Sequence, residues 1–166
     1  MLLNRIVLVG AWAAAAALMA WATPRQRVRD ALVVFMFKQV ITWPLGLLVV
    51  QYGFLAYPVR EFPQATFASF SFEYFIYPAT CVAFTLRFPE RRGVWAKLGW
   101  YAFFPTWMTA LEFAIERYTD LVRYIHWSWH WTWLTLLITF HMTRMFYCWF
   151  IEKGAVAPAV KGGTSS

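Results

Sequence analysis

Carboxylate and imidazole side chains lie inside or beside long apolar runs of this sequence. Glu112 and Glu116 are four residues apart, a spacing that puts both on one face of a helix, where like charges repel each other. Glu73 lies in the preceding apolar run and His130 opens the following one. Ionisable groups within a bilayer cost ~2.5–3.5 kcal/mol, so they are expected to face a bundle interior or a cavity. We therefore predict an acidic pocket of Glu73, Glu112, Glu116 and His130 that binds a cation or a polar headgroup.

The same side chains fit two other roles. Polar residues commonly join membrane helices, so the carboxylates could instead form a buried hydrogen-bond network between neighbouring helices. His126 and His130 are four residues apart, which makes them weak candidates for a transition-metal site. The spacing is compatible with both alternatives, and no metal site is predicted as the main interpretation.

No nucleophile elbow, phosphate-binding loop or paired-aspartate motif is present, so catalytic residues cannot be assigned. If the protein were an enzyme acting on a lipid headgroup, Glu112 is the candidate base and His130 the candidate acid. The three histidines all lie in the last quarter of the chain, a placement that does not suit bis-histidine haem ligation across two spans. We predict no cofactor.

Two basic residues, Lys38 and Arg144, are predicted to lie near the membrane surface on the far side from the acidic pocket. No carboxylate is expected near either of them. Long basic side chains can extend to the interface, or the arginine can bind an anion or a lipid phosphate. In the second run, one helical face is predicted to carry Lys38, Gln39, Thr42, Gly46 and Gly53. In the last run, a stripe at helical spacing is formed by His130, Leu134, Leu137, His141, Arg144 and Cys148.

Composition indicates the class of protein. Of the 166 residues, 61% are hydrophobic and 14% are charged, whereas soluble domains carry about 25% charged residues. Apolar blocks of about 20 residues are typical of membrane helices. The net charge of +7 comes from basic residues between these blocks, where they meet a lipid bilayer and not nucleic acid.

The apolar blocks predict an all-α protein, a bundle of about five transmembrane helices in one domain. The spans are predicted at about 2–22, 30–57, 66–88, 94–118 and 128–150. Residues 152–166, which end in Gly, Thr and Ser, are predicted to form a disordered cytoplasmic tail.

The loop charges predict the orientation. Outside the predicted spans, nine Lys and Arg residues are counted with the first loop, the third loop and the tail, and four with the N-terminal segment and the second and fourth loops. The more basic segments stay cytoplasmic, so the N-terminus is expected outside and the C-terminus in the cytoplasm of a bacterial plasma membrane. The first run could also be a signal peptide, but Arg25, Arg27 and Arg29 follow it and favour a retained span.

Three segments carry a resemblance: TWPLGLLVV at 42–50, FEYFIYP at 72–78 and ERYTDLVRYIHWSW at 116–129. In combination, the chain resembles a family of small, uncharacterised multi-pass membrane proteins of Gram-positive bacteria. The resemblance covers roughly residues 25 to 150. It implies an integral membrane protein of four or five spans, and it implies no activity.

We therefore expect a non-enzymatic membrane protein that binds or transports a small polar or ionic ligand. Five spans cannot form an inverted repeat within one chain, so a transporter of this size is expected to form a homo-oligomer. The alternative is a structural or accessory protein that organises lipid or a partner complex.

Overall fold

The computed structural model describes the backbone of residues 2–156 and the side chains of residues 2–151. This part of the chain forms five α-helices, which confirms the predicted all-α class. They are α1 (Leu2–Ala22), α2 (Val28–Gln51), α3 (Tyr77–Leu86), α4 (Val94–Tyr118) and α5 (Trp129–Val156). The predicted disordered tail begins inside α5, and residues 157–166 lie outside the described residues.

Three helical segments are long and apolar enough to cross a membrane: Leu2–Ala22, Arg25–Gln51 and Trp129–Ile151. The other two predicted spans are not among them. The helical stretch from Ser71 to Leu86 has 16 residues, about 24 Å at 1.5 Å per residue, against a hydrocarbon core of about 30 Å. Helix α4 has 25 residues, which is long enough, but it includes several charged and aromatic side chains.

Helix α3 lies at the centre of the bundle, against α1, α2 and α5. Every residue from Pro78 to Leu86 is buried. The Phe84 ring lies 5.1 Å from the ring of Tyr101, 5.5 Å from Phe104 and 5.1 Å from Phe140, measured between centroids. Large apolar side chains are exposed on all four outer helices, as expected of a surface that faces lipid or a partner.

The segment that enters α3 is a π-helix, Ser71–Ile76, and its wider turn has a local cause. Pro78 has no N–H group, so the Tyr74 carbonyl four residues earlier receives no helical hydrogen bond from it. The Gln39 side chain donates to that carbonyl at 2.8 Å instead. The backbone N–H of Tyr77 bonds the carbonyl five residues back. Such π turns occur frequently at functional sites, and this one contains Glu73.

The connections alternate between the two ends of the bundle. After α2 and α4, strands β1 (Leu55–Ala56) and β2 (Arg123–Tyr124) pair antiparallel. This end of the bundle is called the ribbon end below. At the other end, Arg27 donates to the Leu86 carbonyl at 3.1 Å. We call this the basic end, because Arg25, Arg29, Arg91 and Arg92 also lie there.

Helix α5 is rotated relative to the stripe that the sequence suggested. In that stripe His130, Leu134 and His141 are exposed, and the rest is only half-buried. The buried face carries Thr132, Leu136, Thr139, Phe140, Thr143 and Tyr147. Threonines fit there because their hydroxyls bond carbonyls four residues back, as Thr139 does to Thr135 and Thr143 to Thr139, both at 2.8 Å. A hydroxyl satisfied in this way can be buried at little cost.

Candidate ligand-binding cavity

A cavity of about 120 Å³ lies between α2, the π-helical segment, α4 and α5, toward the ribbon end. Three ionisable side chains line it: Lys38 from α2, Glu73 from the π-helical segment and Glu112 from α4. All three are buried, with 0%, 7% and 7% of their surface exposed. The volume accommodates several water molecules or a small ligand.

Hydroxyl groups from three parts of the chain donate to the Glu112 carboxylate. Tyr77 Oη lies 2.6 Å from Oε2, while Tyr124 Oη and Thr132 Oγ1 lie 2.8 Å and 2.7 Å from Oε1. Thr132 in turn accepts a hydrogen bond from Trp127 Nε1 at 2.8 Å. An ionised carboxylate is an acceptor only, so these donors satisfy it and join α3, α4, β2 and α5.

Glu73 has far fewer partners. Within the described residues its side chain accepts one hydrogen bond, from Tyr57 Oη to Oε1 at 3.3 Å. Its side chain packs against Gly46 of α2: a Cβ atom added there would lie 2.7 Å from Cδ of Glu73. Gly46 therefore leaves the space that the Glu73 side chain occupies, and most of the carboxylate's hydrogen-bonding capacity is left to the cavity.

Lys38 also has spare hydrogen-bonding capacity. Its Nζ donates to Thr139 Oγ1 and lies 4.8 Å from the centroid of the Phe140 ring. A lysine ammonium has three donors. The ion pairs within 4.0 Å in the described part of the chain are Arg27 with Asp30 and Arg144 with Glu90, so Lys38 is buried without a contacting carboxylate.

Two tyrosines at the ribbon end donate to the carboxylates of the cavity: Tyr57, which lines it, and Tyr124, which does not. Burial raises the pKa of Tyr57 well above its ordinary value, and the negative charges of Glu73 and Glu112 raise it further. Burial likewise raises the pKa of Tyr124, with Glu112 as the next cause. Both hydroxyls therefore keep their protons and act as donors to the carboxylates.

The structure brings together three of the six predicted ligand-binding candidates. Glu73 and Glu112 share the cavity with Lys38. The sequence-based prediction had grouped Lys38 with Arg144 instead. Glu116 is half-buried and does not line the cavity. His130 is exposed and stacks on Trp129 with 3.5 Å between ring centroids.

Arg144 lies near the basic end, and the expectation of no carboxylate near it was wrong. It pairs with Glu90 from the loop before α4, and its guanidinium lies 3.5 Å from the centroid of the Phe88 ring. The acidic partner was missed because Glu90 and Arg144 are 54 residues apart in the sequence and meet only in the folded bundle. Arg144 is therefore neutralised within the chain and does not carry a free anion site.

The weak metal candidates remain apart from other ligands. His126 is exposed, with Nδ1 3.4 Å from the Gly53 carbonyl oxygen. Across the residues that were described, no group of three or more His, Cys, Asp or Glu side chains could hold a metal ion. Cys81 is buried and Cys148 half-buried, and both are free thiols.

Sequence reasoning missed the polar wall that α5 contributes. Thr132, Thr135 and Thr139 line the cavity, and their spacing of three and four residues places them on one helical face. This spacing can be read from the sequence, but the stripe predicted on the last run was the opposite face, which contains His130 and His141. Tyr57 was not predicted as a site residue, because the pairing of β1 with β2 that precedes it in the fold is not encoded in local spacing.

The fold and the cavity define a helical protein with three helices able to cross a membrane and with ionisable side chains buried between its helices. No family model, no curated protein and no solved structure matches the chain. Its function must therefore be inferred from the chemistry of the cavity.

Proposed function

We propose that this protein is a multi-pass membrane protein that binds, and by opening of the ribbon end transports, a small polar or ionic ligand. The observation that carries the proposal is the cavity in which Lys38 and Glu73 are both buried and only partly hydrogen-bonded. Burying charged groups without full compensation is costly, and such intramembrane groups commonly mark ligand or ion pathways. A ligand in the cavity would supply the missing partners.

The balance of charge favours a cation or a zwitterion as the ligand. Two carboxylates and one ammonium group line the cavity, so with all three ionised the wall carries one net negative charge. A cation lowers the repulsion between Glu73 and Glu112, while a carboxylate group of a zwitterion can accept from Lys38. The threonine and tyrosine hydroxyls of the wall can bond either kind of ligand.

The proposed setting is a bacterial plasma membrane, with the ribbon end and the N-terminus outside and the basic end in the cytoplasm. The support is the excess of Lys and Arg in the connections at the basic end, which the positive-inside rule places in the cytoplasm. The resemblance to small multi-pass proteins of Gram-positive bacteria points the same way. Transport by so small a bundle is expected to require a homo-oligomer.

Ligand binding can be tested by thermal unfolding of the full chain in lipid nanodiscs, followed by tryptophan fluorescence. The probes are potassium, methylammonium, glycine and acetate, each from micromolar to 100 mM. A ligand that binds only the folded state raises the unfolding temperature with concentration. We expect a shift with methylammonium or glycine and none with acetate.

Glu73→Gln is the test variant and Glu116→Gln the matched control, since Glu116 lies one helical turn from Glu112 but outside the cavity. The shift should disappear in Glu73→Gln and persist in Glu116→Gln. Equal shifts in both variants, or a shift produced by acetate alone, would contradict a cation-selective site at Glu73.

One observation favours a second function, that of a structural or accessory protein. The Glu112 carboxylate is satisfied by Tyr77, Tyr124 and Thr132, which is the pattern of a network that holds helices together. If Glu73 and Lys38 serve the same purpose, none of the probes will bind and the cavity will exclude charged reagents. A lipid-headgroup enzyme with Glu112 as base and His130 as acid receives less support, because His130 does not line the cavity.

A further inference from the structure

A second concave site lies at the basic end, where the end of α1 meets the start of α4. This groove of about 600 Å³ is lined by Trp21, Arg87, Arg92, Trp100 and Phe103, among others. No Asp or Glu side chain is among its lining residues. The groove is therefore a pocket with two arginines and an aromatic rim.

Both arginines are available to an anion. Arg87 is held in place by a hydrogen bond to the Trp21 carbonyl oxygen, with its guanidinium 4.7 Å from the centroid of the Trp21 ring. Arg92 is exposed, and its side chain makes no ion pair within the described part of the chain. Glu90, two residues away, is engaged by Arg144 on α5. The planar guanidinium fork suits a phosphate oxygen pair.

A separate, mainly apolar crevice of about 140 Å³ lies further along α1 and α4, where the π-helical segment and α3 also line it and Tyr77, Thr80 and Glu112 are its polar side chains. Its walls include Ala14 and Leu18 of α1 and Trp107 and Leu111 of α4. On α4, Trp107 follows the groove residue Phe103 by four positions, one helical turn or about 6 Å. On α1, the alanines leave room because their side chains end at Cβ.

We infer that the groove and the crevice together form a binding site for one anionic phospholipid. The phosphate lies at Arg87 and Arg92, and an acyl chain follows the α1–α4 crevice toward the membrane centre. Along α4, Gly99 of the groove and Leu111 of the crevice are 12 residues apart, about 18 Å, close to half of the ~30 Å hydrocarbon core. Basic clusters with interfacial tryptophans recognise anionic headgroups in this way. The inference rests on the proposed membrane placement and not on ligand binding in the cavity.

Native mass spectrometry of the detergent-purified full chain tests the headgroup. The protein is titrated with an equimolar mixture of phosphatidylglycerol and phosphatidylcholine that carry the same acyl chains. Arg92→Gln is compared with Arg91→Gln, a neighbouring exposed arginine that does not line the groove. We expect the preference for phosphatidylglycerol to fall about fivefold in Arg92→Gln, as one basic residue contributes about that factor near a membrane surface, and to stay unchanged in Arg91→Gln.

A second pair of variants tests the acyl chain. Ala14→Phe fills the crevice, whereas Ala13→Phe adds the same bulk at an exposed position outside it. We expect Ala14→Phe to lower retention of both lipids and Ala13→Phe to leave it unchanged, with unfolding temperatures as the check on folding. Glycerol phosphate, which lacks an acyl chain, should not compete at millimolar concentration.

Equal loss in the two arginine variants would mean general charge attraction and would overturn the site. Competition by glycerol phosphate would mean a free-phosphate site instead. If Ala14→Phe fails to fold, the arginine pair alone decides the headgroup, because both of those side chains are exposed. None of these results depends on whether the Glu73 cavity binds its own ligand.

Discussion

Glu73 and Glu112 are the same residue type, equally buried, and they line the same cavity, yet their surroundings differ. Three hydroxyls donate to Glu112, and one hydroxyl donates to Glu73. Because an unmade hydrogen bond of a buried group costs more than a made one contributes, the two carboxylates are expected to play different roles. We expect Glu112 to hold the bundle together, and we propose that Glu73 receives the ligand.

The difference follows from the local backbone. Glu112 lies in the regular helix α4, which presents its carboxylate to α3, α5 and the ribbon end at once. Glu73 lies in the π-helical segment before Pro78, and Gly46 opposite it leaves space instead of a hydrogen-bond donor. The two carboxylates are equally buried, so the proposed difference in role rests on the number of hydrogen-bond donors and not on burial.

Removal of the Glu112 carboxylate should have the largest effect. Glu112→Ala leaves the hydroxyls of Tyr77, Tyr124 and Thr132 without their acceptor and opens a void, so we expect a loss of about 2–4 kcal/mol in the free energy of unfolding. Thermal unfolding in nanodiscs measures it. Glu116→Ala, one turn away, should cost less than about 0.5 kcal/mol. Similar losses in the two variants would refute the structural role of Glu112.

Gly46→Ala should displace the Glu73 side chain and lower the stability of the protein. The added Cβ would lie 2.7 Å from Glu73 Cδ and 2.9 Å from Cγ, so the side chain must move into the cavity. We expect a loss of about 1–3 kcal/mol from overpacking and a loss of ligand-induced stabilisation. Gly10→Ala has open space around it and should be neutral or slightly stabilising. If Gly46→Ala behaves like Gly10→Ala, Glu73 is not packed against α2 as described.

The Tyr124 hydroxyl, which donates to Glu112, should make the stability of the protein depend on pH in the alkaline range. Its folded-state pKa lies above its ordinary value of 10, so its contribution to stability is complete below pH 10 and is lost as the pH rises from there toward the folded-state pKa. Unfolding temperatures should stay level from pH 7 to 9 and fall above about pH 10. Tyr124→Phe should cost about 1 kcal/mol at pH 7 and make the alkaline fall shallower. An unchanged alkaline profile would exclude this hydroxyl as a donor.

Glu73→Gln should have the smallest effect on stability. The amide keeps the shape and can still accept from Tyr57, so we expect a change below about 1 kcal/mol in the same unfolding measurement. Glu112→Gln weakens three charge-assisted hydrogen bonds, so it should lower the free energy of unfolding more than Glu73→Gln does. A larger loss in Glu73→Gln than in Glu112→Gln would reverse the assignment of roles.

Much of the fold could be predicted from the sequence, because apolar run length and helix periodicity are local properties. The predicted span 94–118 coincides with α4, and 2–22 coincides with α1. The third run was predicted as one span from 66, but the structure has a π-helical turn and a short central helix. Pro78 supplies no N–H group to the Tyr74 carbonyl, and the Gln39 side chain that bonds this carbonyl instead reaches it only in the folded bundle.

The candidate site was predicted in part. Glu73 and Glu112 were predicted to share a pocket because they lie at similar depths in neighbouring apolar runs. Lys38 was instead predicted near the cytoplasmic surface, because its depth was judged only from its position along the second run. Its actual position depends on how α2 lies against α5, where Thr139 Oγ1 accepts a hydrogen bond from Lys38 Nζ. Long-range contacts of this kind, and the ribbon that places Tyr57 and Tyr124, have no local sequence signature.

Reactivity of engineered thiols tests the central claim, a cavity at Lys38 and Glu73 that water and cations reach. In a background without Cys81 and Cys148, Thr135→Cys faces the cavity, and Thr143→Cys, two turns further along the same helix, is buried outside it. Intact cells are treated with cationic and anionic methanethiosulfonate reagents of similar size. Thr135→Cys is expected to react with both reagents, and faster with the cationic one than with the anionic one. Thr143→Cys is expected to stay protected. Equal protection of both thiols, or faster reaction with the anionic reagent, would contradict an acidic ligand-binding cavity.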